Sequence, residues 1–179
     1  PCGIILSGGP SSVLDKKSPK LPLVVSTSNI PILGICYGLQ LISHTNKGKI
    51  KKSLSREYGF AKIKVQGISK IIPREWNNKN ISVWMSHGDH VSLPPKEFVV
   101  TAKSNNGIIS IIENHKKNIF GLQFHPEVHH TYLGHKIIKN FIFKICKAKD
   151  NWIVESFIKI KIKELKYLIG KSNIVCGLS

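Results

Sequence analysis

"IPILGICYGLQLISHTNKG", Ile30 to Gly48, sets an apolar run against a cysteine flanked by glycines and follows it with an amphipathic stretch. The segment "IPILGIC" reads as a buried strand. From Tyr37 the period becomes helical: Leu39 and Ile42, with Thr45 in phase, share one face, and Gly48 stops the helix. Strand, glycine turn and helix in that order make one unit of a doubly wound α/β sheet. The turn places Cys36 between Gly34 and Gly38. Two readings of that thiol stand. A nucleophile on a sharp strand-to-helix turn needs neighbours without side chains, so that the backbone can bend and a substrate can approach. A buried cysteine beside a glycine turn would look the same over these residues.

The rest of the 179-residue chain alternates in the same way before changing period. "GIIL" (3–6) is a short buried strand ending in the loop signal "SGGP", and "PLVVST" (22–27) fits either a helix end or a short strand. "YGFAKIKV" (58–65) alternates as a strand. Further short strand runs follow at "ISVWM", "EFVVTAKS", "GIISIIEN" and "NIFGLQFH", close enough together to imply partly antiparallel pairing. Ile137, Ile138, Phe141, Ile142 and Ile145 then recur at helical spacing, which predicts an amphipathic helix over about 134–147. "KAKDN" reads as a linker. In the next segment Ile158, Ile160 and Ile162 alternate with lysine while Phe157, Leu165, Leu168 and Ile169 follow a helical period. Length and the later spacing favour a helix. "NIVCGLS" (173–179) reads as an apolar strand running into a glycine loop.

Composition narrows the chemistry. The chain is long enough for one ordinary domain with an appendage, and no apolar run approaches the length of a membrane span. No basic stretch precedes the first apolar run, so no secretory signal is visible and a cytoplasmic setting is expected. Cys2, Cys36, Cys146 and Cys176 form no C-x-x-C pair, which argues against a zinc ribbon or a disulfide framework; all but Cys36 read as small core side chains. The net charge of +17 invites a nucleic-acid reading. Of the 27 basic residues, however, only Arg56 and Arg74 are arginine, and the lysines are scattered, so the excess reads as a solvated surface with no nucleic-acid partner.

A cysteine nucleophile needs a base and a group to orient that base. In "QFHPEV", His125 and Glu127 lie two residues apart, which on an extended backbone sends both side chains to one face, and Pro126 excludes a helix interior. Glu127 can then accept from one ring nitrogen while the other faces Cys36, the logic of a catalytic triad. Taken alone, the motif reads more readily as a surface turn. "SGGP", at the end of another strand, offers glycine amides to a developing oxyanion or is a packing turn only. No phosphate loop fits: "GKS" at Gly170 has Leu165 where the earlier glycine would stand. His125, His129 and His130 lack the H-E-x-x-H spacing or a partner cysteine, so no metal is expected.

Taken together and in order, "GIILSGGP", "GICYGLQ", "WMSHGDHV" and "FHPEVHHTYLG" resemble the class I, triad-type glutamine amidotransferases, and among them the glutaminase part of the GMP synthases. The resemblance implies an α/β, three-layer, flavodoxin-like fold with a central mixed, mostly parallel sheet, whose N-terminal strand lies upstream of "GIILSGGP" and is missing here. An unpaired strand edge and poor activity of the isolated chain would follow. It implies that Cys36 attacks the amide carbon of glutamine, that His125 shuttles the proton and that Glu127 holds His125. The backbone amides of Gly9 and Tyr37 would bind the oxyanion. Gly8, Gln40 and the loop Ser86, His87, Gly88 and Asp89 would bind the substrate.

By the same resemblance residues 1–147 are the amidotransferase domain, and 148–179 a linker helix with the first strand of an ATP pyrophosphatase domain. No cofactor is implied for the glutaminase step. The synthetase part of the parent chain would use Mg-ATP and XMP and form a homodimer. The alternatives are a glutaminase of anthranilate, carbamoyl-phosphate or CTP synthase type, or a degenerate, non-catalytic scaffold.

Overall fold

A computed structural model describes residues 1–151 and 154–177. The chain divides into two compact units, Pro1–Ala148 and Lys149–Ser179. The first is built on a seven-stranded sheet of β1 (Ile4–Leu6), β2 (Ile32–Ile35), β3 (Lys49–Val65), β4 (Asn80–Leu93), β5 (Val99–Ser104), β6 (Ile109–Asn114) and β7 (Ile119–Leu122), in the spatial order β1-β2-β7-β6-β5-β3-β4. The sheet is mixed. β2 pairs in parallel with β1 and β7, while the pairs β7–β6, β6–β5, β5–β3 and β3–β4 are antiparallel. Chain length between strands explains the division: a parallel pair needs a long crossover, and β5, β6 and β7 are joined by turns of a few residues that permit only reversal.

Helices cover both faces of the parallel part. On one side α2 (Tyr37–Thr45) buries Tyr37, Leu39, Leu41 and Ile42 in a cluster with Ile32 and Ile112. On the other, α3 (Gly134–Lys139) and the turn after it place Ile137 and Phe141 among Leu33, Ile35, Phe120, Leu122 and Phe124. Each such fully buried side chain contributes roughly 1.5–3 kcal/mol of apolar transfer. The layering is therefore helix, sheet, helix. Thr45, in phase with Leu39 and Ile42 in the sequence, is exposed, because α2 has left the sheet by its last turn.

"PLVVST", open between a helix end and a short strand, forms one helical turn, α1 (Leu23–Ser26). Several other elements differ from the sequence pattern. The helix expected over 134–147 starts as α3 and widens to π geometry over Asn140–Ile145, closed by Cys146 N–H to the Phe141 carbonyl at 2.9 Å. The wider turns still leave Phe141 buried above the sheet. β3 begins at Lys49, nine residues before the alternating run that announced it, and its pairing with β4 shifts register between Lys52 and Glu57. Cys2 and Cys176 are exposed and not core, and only Cys146 is partly buried. Its thiol is pushed up to about 11, first by burial and then by the nearby Cys2.

The second unit contains α4 (Val154–Ile169), where a helical period prevailed over the Ile-Lys alternation; Lys161 and Glu164 pair along it at 2.6 Å. Residues 173–177, expected as a strand, are irregular, and no described strand pairs with them; the last two residues of that expected strand lie outside the described residues.

Candidate active site

The turn from β2 into α2 carries Cys36 at φ 53°, ψ −104°, a left-handed backbone that a non-glycine residue adopts only where its surroundings compel it. The compulsion is visible on both sides. A Cβ on Gly34 would lie 2.5 Å from the Gly38 carbonyl carbon, and one on Gly38 would lie 2.9 Å from both the carbonyl carbon and Cβ of Leu6. The two glycines thus let β2, α2 and β1 close onto one another, and the tight elbow pushes the thiol out of the sheet at the N-terminus of α2. Such a position favours an anion, since the first amides of a helix have no intrahelical acceptor.

His125 follows β7, the strand beside β2, and so reaches the same end of the sheet. Its backbone is pinned twice: its N–H donates to the Trp84 carbonyl at 3.0 Å, and its carbonyl accepts from Thr131 Oγ1 at 2.6 Å. Thr131 Oγ1 in turn accepts from the Trp84 N–H at 3.0 Å, tying the histidine loop to β4. Nδ1 of His125 lies 2.6 Å from Glu127 Oε1. Gly8, at the end of β1, leaves the space in which thiol and imidazole meet: a Cβ there would be 3.0 Å from His125 Cε1 and 3.6 Å from Cys36 Cβ.

The electrostatics follow from these contacts. Hydrogen bonding with Cys36, then with Glu127, raises His125 to about 10 against the opposing effect of burial. Burial alone would raise the Glu127 carboxyl, but the His125 hydrogen bond and charge outweigh it and hold it below the usual range. The sign is definite. A histidine raised in the fold contributes stability that is full below its unfolded value near 6.5 and is lost as pH climbs through about 10; the depressed Glu127 contribution is lost as pH falls through its lowered value. Glu127→Gln removes one of the two hydrogen bonds that raise the imidazole. For the glutamine hydrolysis that the sequence resemblance implies, the alkaline limb of kcat/KM is therefore expected to move to lower pH in that variant, with about 10- to 100-fold lower activity at neutral pH. An unmoved limb would mean that Glu127 does not act on His125.

A cavity of about 550 Å³ opens over the thiol, bordered by Gly9, Cys36, Tyr37, Gln40, Ser86, His87, Gly88, Asp89 and His125. Every expected site residue except Gly8 and Glu127 borders it; those two lie directly against His125. Ser86–Asp89 differs from the expected loop, since it is part of β4, with Gly88 opposite the register irregularity of β3. The His87 side chain is buried and turned toward β3. Its Nε2 lies 3.3 Å from Glu57 Oε2, outside hydrogen-bonding geometry, and burial lowers it against the pull of that carboxylate. Asn106 Nδ2 donates to Glu57 Oε1 at 2.8 Å.

Four contributors escaped the sequence reading. Ser12 Oγ donates to the Asp89 carboxylate, whose backbone carbonyl accepts from Gln40 Nε2 at 2.8 Å. Asp89, the only acidic residue bordering the cavity among the described residues, is thus held at its carboxylate by Ser12 and at its backbone by Gln40. Tyr58 borders the cavity, Thr131 pins the histidine loop, and Gln123 lies under the thiol. Two of them had a signal: Gln123 stands two residues before His125 on the same strand run, and Thr131 lies within "FHPEVHHTYLG". His129 and His130 stack on one another, and His130 on Trp84; among the described residues no group of three or more His, Cys, Asp and Glu side chains forms a metal site.

The family model for Glutamine amidotransferase class-I matches residues 1–145. The chain belongs to the class-I glutamine amidotransferase family. Similar curated proteins of this family include the GMP synthases [glutamine-hydrolyzing] of Brachyspira hyodysenteriae and Thermosipho melanesiensis, each 46% identical over all 179 residues. The chain spans about a third, 34%, of the length of those relatives. Among solved structures it is similar to that of a candidate GMP synthase subunit from Thermoplasma acidophilum, at 28% identity and a TM-score of 0.70, covering 90% of this chain and 76% of that one. A glutamine amidotransferase from Methylobacillus flagellatus shares the fold at 20% identity and a TM-score of 0.59, covering 80% of this chain and 57% of that one.

Proposed function

We propose that this amidotransferase chain is the glutaminase part of a GMP synthase, releasing ammonia from glutamine for the ATP-dependent amination of XMP to GMP. The observation that carries the reading is the meeting of the Cys36 sulfur with a His125 ring held by Glu127, at the mouth of one cavity, in a chain whose full length aligns with proteins of that name.

Cys36 gives its proton to His125 and attacks the side-chain amide carbon of glutamine. The oxyanion that forms meets the backbone amides of Gly9 and Tyr37, a kind of contact worth about 3–4 kcal/mol in acyl transfer. Tyr37 is the first residue of α2, so its N–H has no acceptor within the helix. Imidazolium at His125 protonates the departing nitrogen, ammonia leaves, and a thioester remains. Water then adds, passing a proton through His125 back to the sulfur as glutamate departs. Asp89, held by Ser12 and Gln40, faces the α-ammonium of the substrate.

This step uses no cofactor. Mg-ATP and XMP belong to a synthetase part of the longer protein, to which the segment 148–179 would lead and through which the parent would dimerise, in the cytoplasm. No described helix is long and apolar enough to cross a membrane. The test supplies the longer protein with glutamine, Mg-ATP and, in turn, XMP, UTP or chorismate. Amination of XMP alone is expected. Amination of UTP or chorismate instead would move the chain to another branch of the family.

A further inference from the structure

Gln123 is wholly buried at the end of β7, yet its amide is poorly provided for. Nε2 lies 3.9 Å from the Cys36 sulfur, across 87 residues of sequence, and among the described residues Oε1 has no hydrogen-bond partner. A buried carbonyl left without a donor costs stability, and an apolar side chain of the same length would avoid that cost. Gln123 does not border the cavity, so its amide reaches the reacting atom from within the protein. We propose that Gln123 is an anion-holding donor for the nucleophile, its Nε2–H stabilising the Cys36 sulfur in the charged form that attacks the substrate.

The surroundings of the sulfur give this contact a distinct task. The Ser86 carbonyl, 3.4 Å away, accepts from the thiol and so favours the neutral form. His125, backed by Glu127, draws the proton from the cavity side. Asp89, Tyr58 and Tyr37 border the same cavity, and the buried His87–Glu57 pair joins β4 to β3. Among these, the His125 ring must rotate its duty between sulfur, leaving nitrogen and water during turnover. Gln123 carries no proton that any step consumes, so its donor stays on the sulfur throughout, as does the N-terminus of α2. The inference deepens the glutaminase reading but concerns the ionisation of the thiol, which is measurable without glutamine.

The test replaces Gln123 with Met and, separately, with Leu in the full chain. Alkylation by iodoacetamide is followed against pH at the Cys36 peptide by mass spectrometry, which separates it from the exposed Cys2 and Cys176. Loss of one hydrogen bond to a charged group should raise the midpoint by about one pH unit and slow alkylation about tenfold on its acid side. The melting temperature should not fall, because the orphaned carbonyl goes with the amide. An unchanged midpoint, or a lowered one, in a folded variant would overturn the proposal; unchanged ionisation with a lower melting temperature would assign Gln123 to packing. Should neither variant fold, the side-chain amide signals of Gln123 in the native chain decide. They should shift with the Cys36 titration and lose that shift in Cys36→Ser, and signals indifferent to it would refute the idea. Failure of the glutaminase reading is separate: it shows as no glutamate release by the native protein, whatever the alkylation profile.

Discussion

Cys36→Ala in the longer protein should abolish glutamine-supported synthesis, by about 10⁴-fold or more, while synthesis supported by added ammonia continues at its native rate. The size follows from what the sulfur does. In the proposed mechanism it forms the covalent bond that splits amide hydrolysis into two steps, and where such a nucleophile works as a unit with its base its removal costs about 10⁶ in kcat. Alanine also relieves the cavity of its only thiol without enlarging a side chain, so the fold should persist. The two assays separate the roles: ammonia bypasses Cys36 but still needs everything beyond it. Equal loss in both would place the thiol in the structure rather than the chemistry, and no loss in either would remove it from the mechanism.

Gly38→Ala should be the most damaging single methyl in the elbow. Its Cβ would run into the Leu6 carbonyl, with the carbonyl carbon and Leu6 Cβ both at 2.9 Å, and backbone atoms of a paired strand cannot swing aside as a long side chain can. Overpacking of this kind costs about 1–3 kcal/mol, more where the backbone must move. The relief available is to part β1 from α2, which also withdraws Gly8 and Gly9 from the thiol and the cavity. We therefore expect a clear drop in melting temperature together with loss of glutaminase activity, read by calorimetry and glutamate release. Gly59→Ala serves as the control: nothing lies within 4 Å of its Cβ, although its φ of +93° makes it mildly strained. Equal behaviour of the two variants would show that the close approach at Gly38 is not what holds the elbow.

Parts of this architecture are legible in residue order because their causes are local. Ile30–Gly48 announces strand, turn and helix through a change of hydrophobic period, and Gly34 and Gly38 announce the tight turn through the absence of side chains. His125, Pro126 and Glu127 are close enough in sequence that backbone geometry alone brings the carboxylate to the ring. The start of β3 was not legible, since Lys49–Lys52 carries no clean alternation and is held in place by pairing with Leu93–Asp89. The π turns after α3 were hidden for a similar reason, because Ile137 and Phe141 keep the spacing of an ordinary helix.

By itself the sequence determined the elbow and the family, and it named a thiol, an imidazole and a carboxylate as candidates, because those properties belong to short segments and to side-chain types. Tertiary structure alone decided who stands around the sulfur. Ser12 meets Asp89 across 77 residues, Gln123 meets Cys36 across 87, and Glu57 faces His87 only because β3 resumes its register at that rung. Such meetings depend on strand order and register, which are set by how the whole chain buries its two apolar faces at once, and no local stretch carries that information.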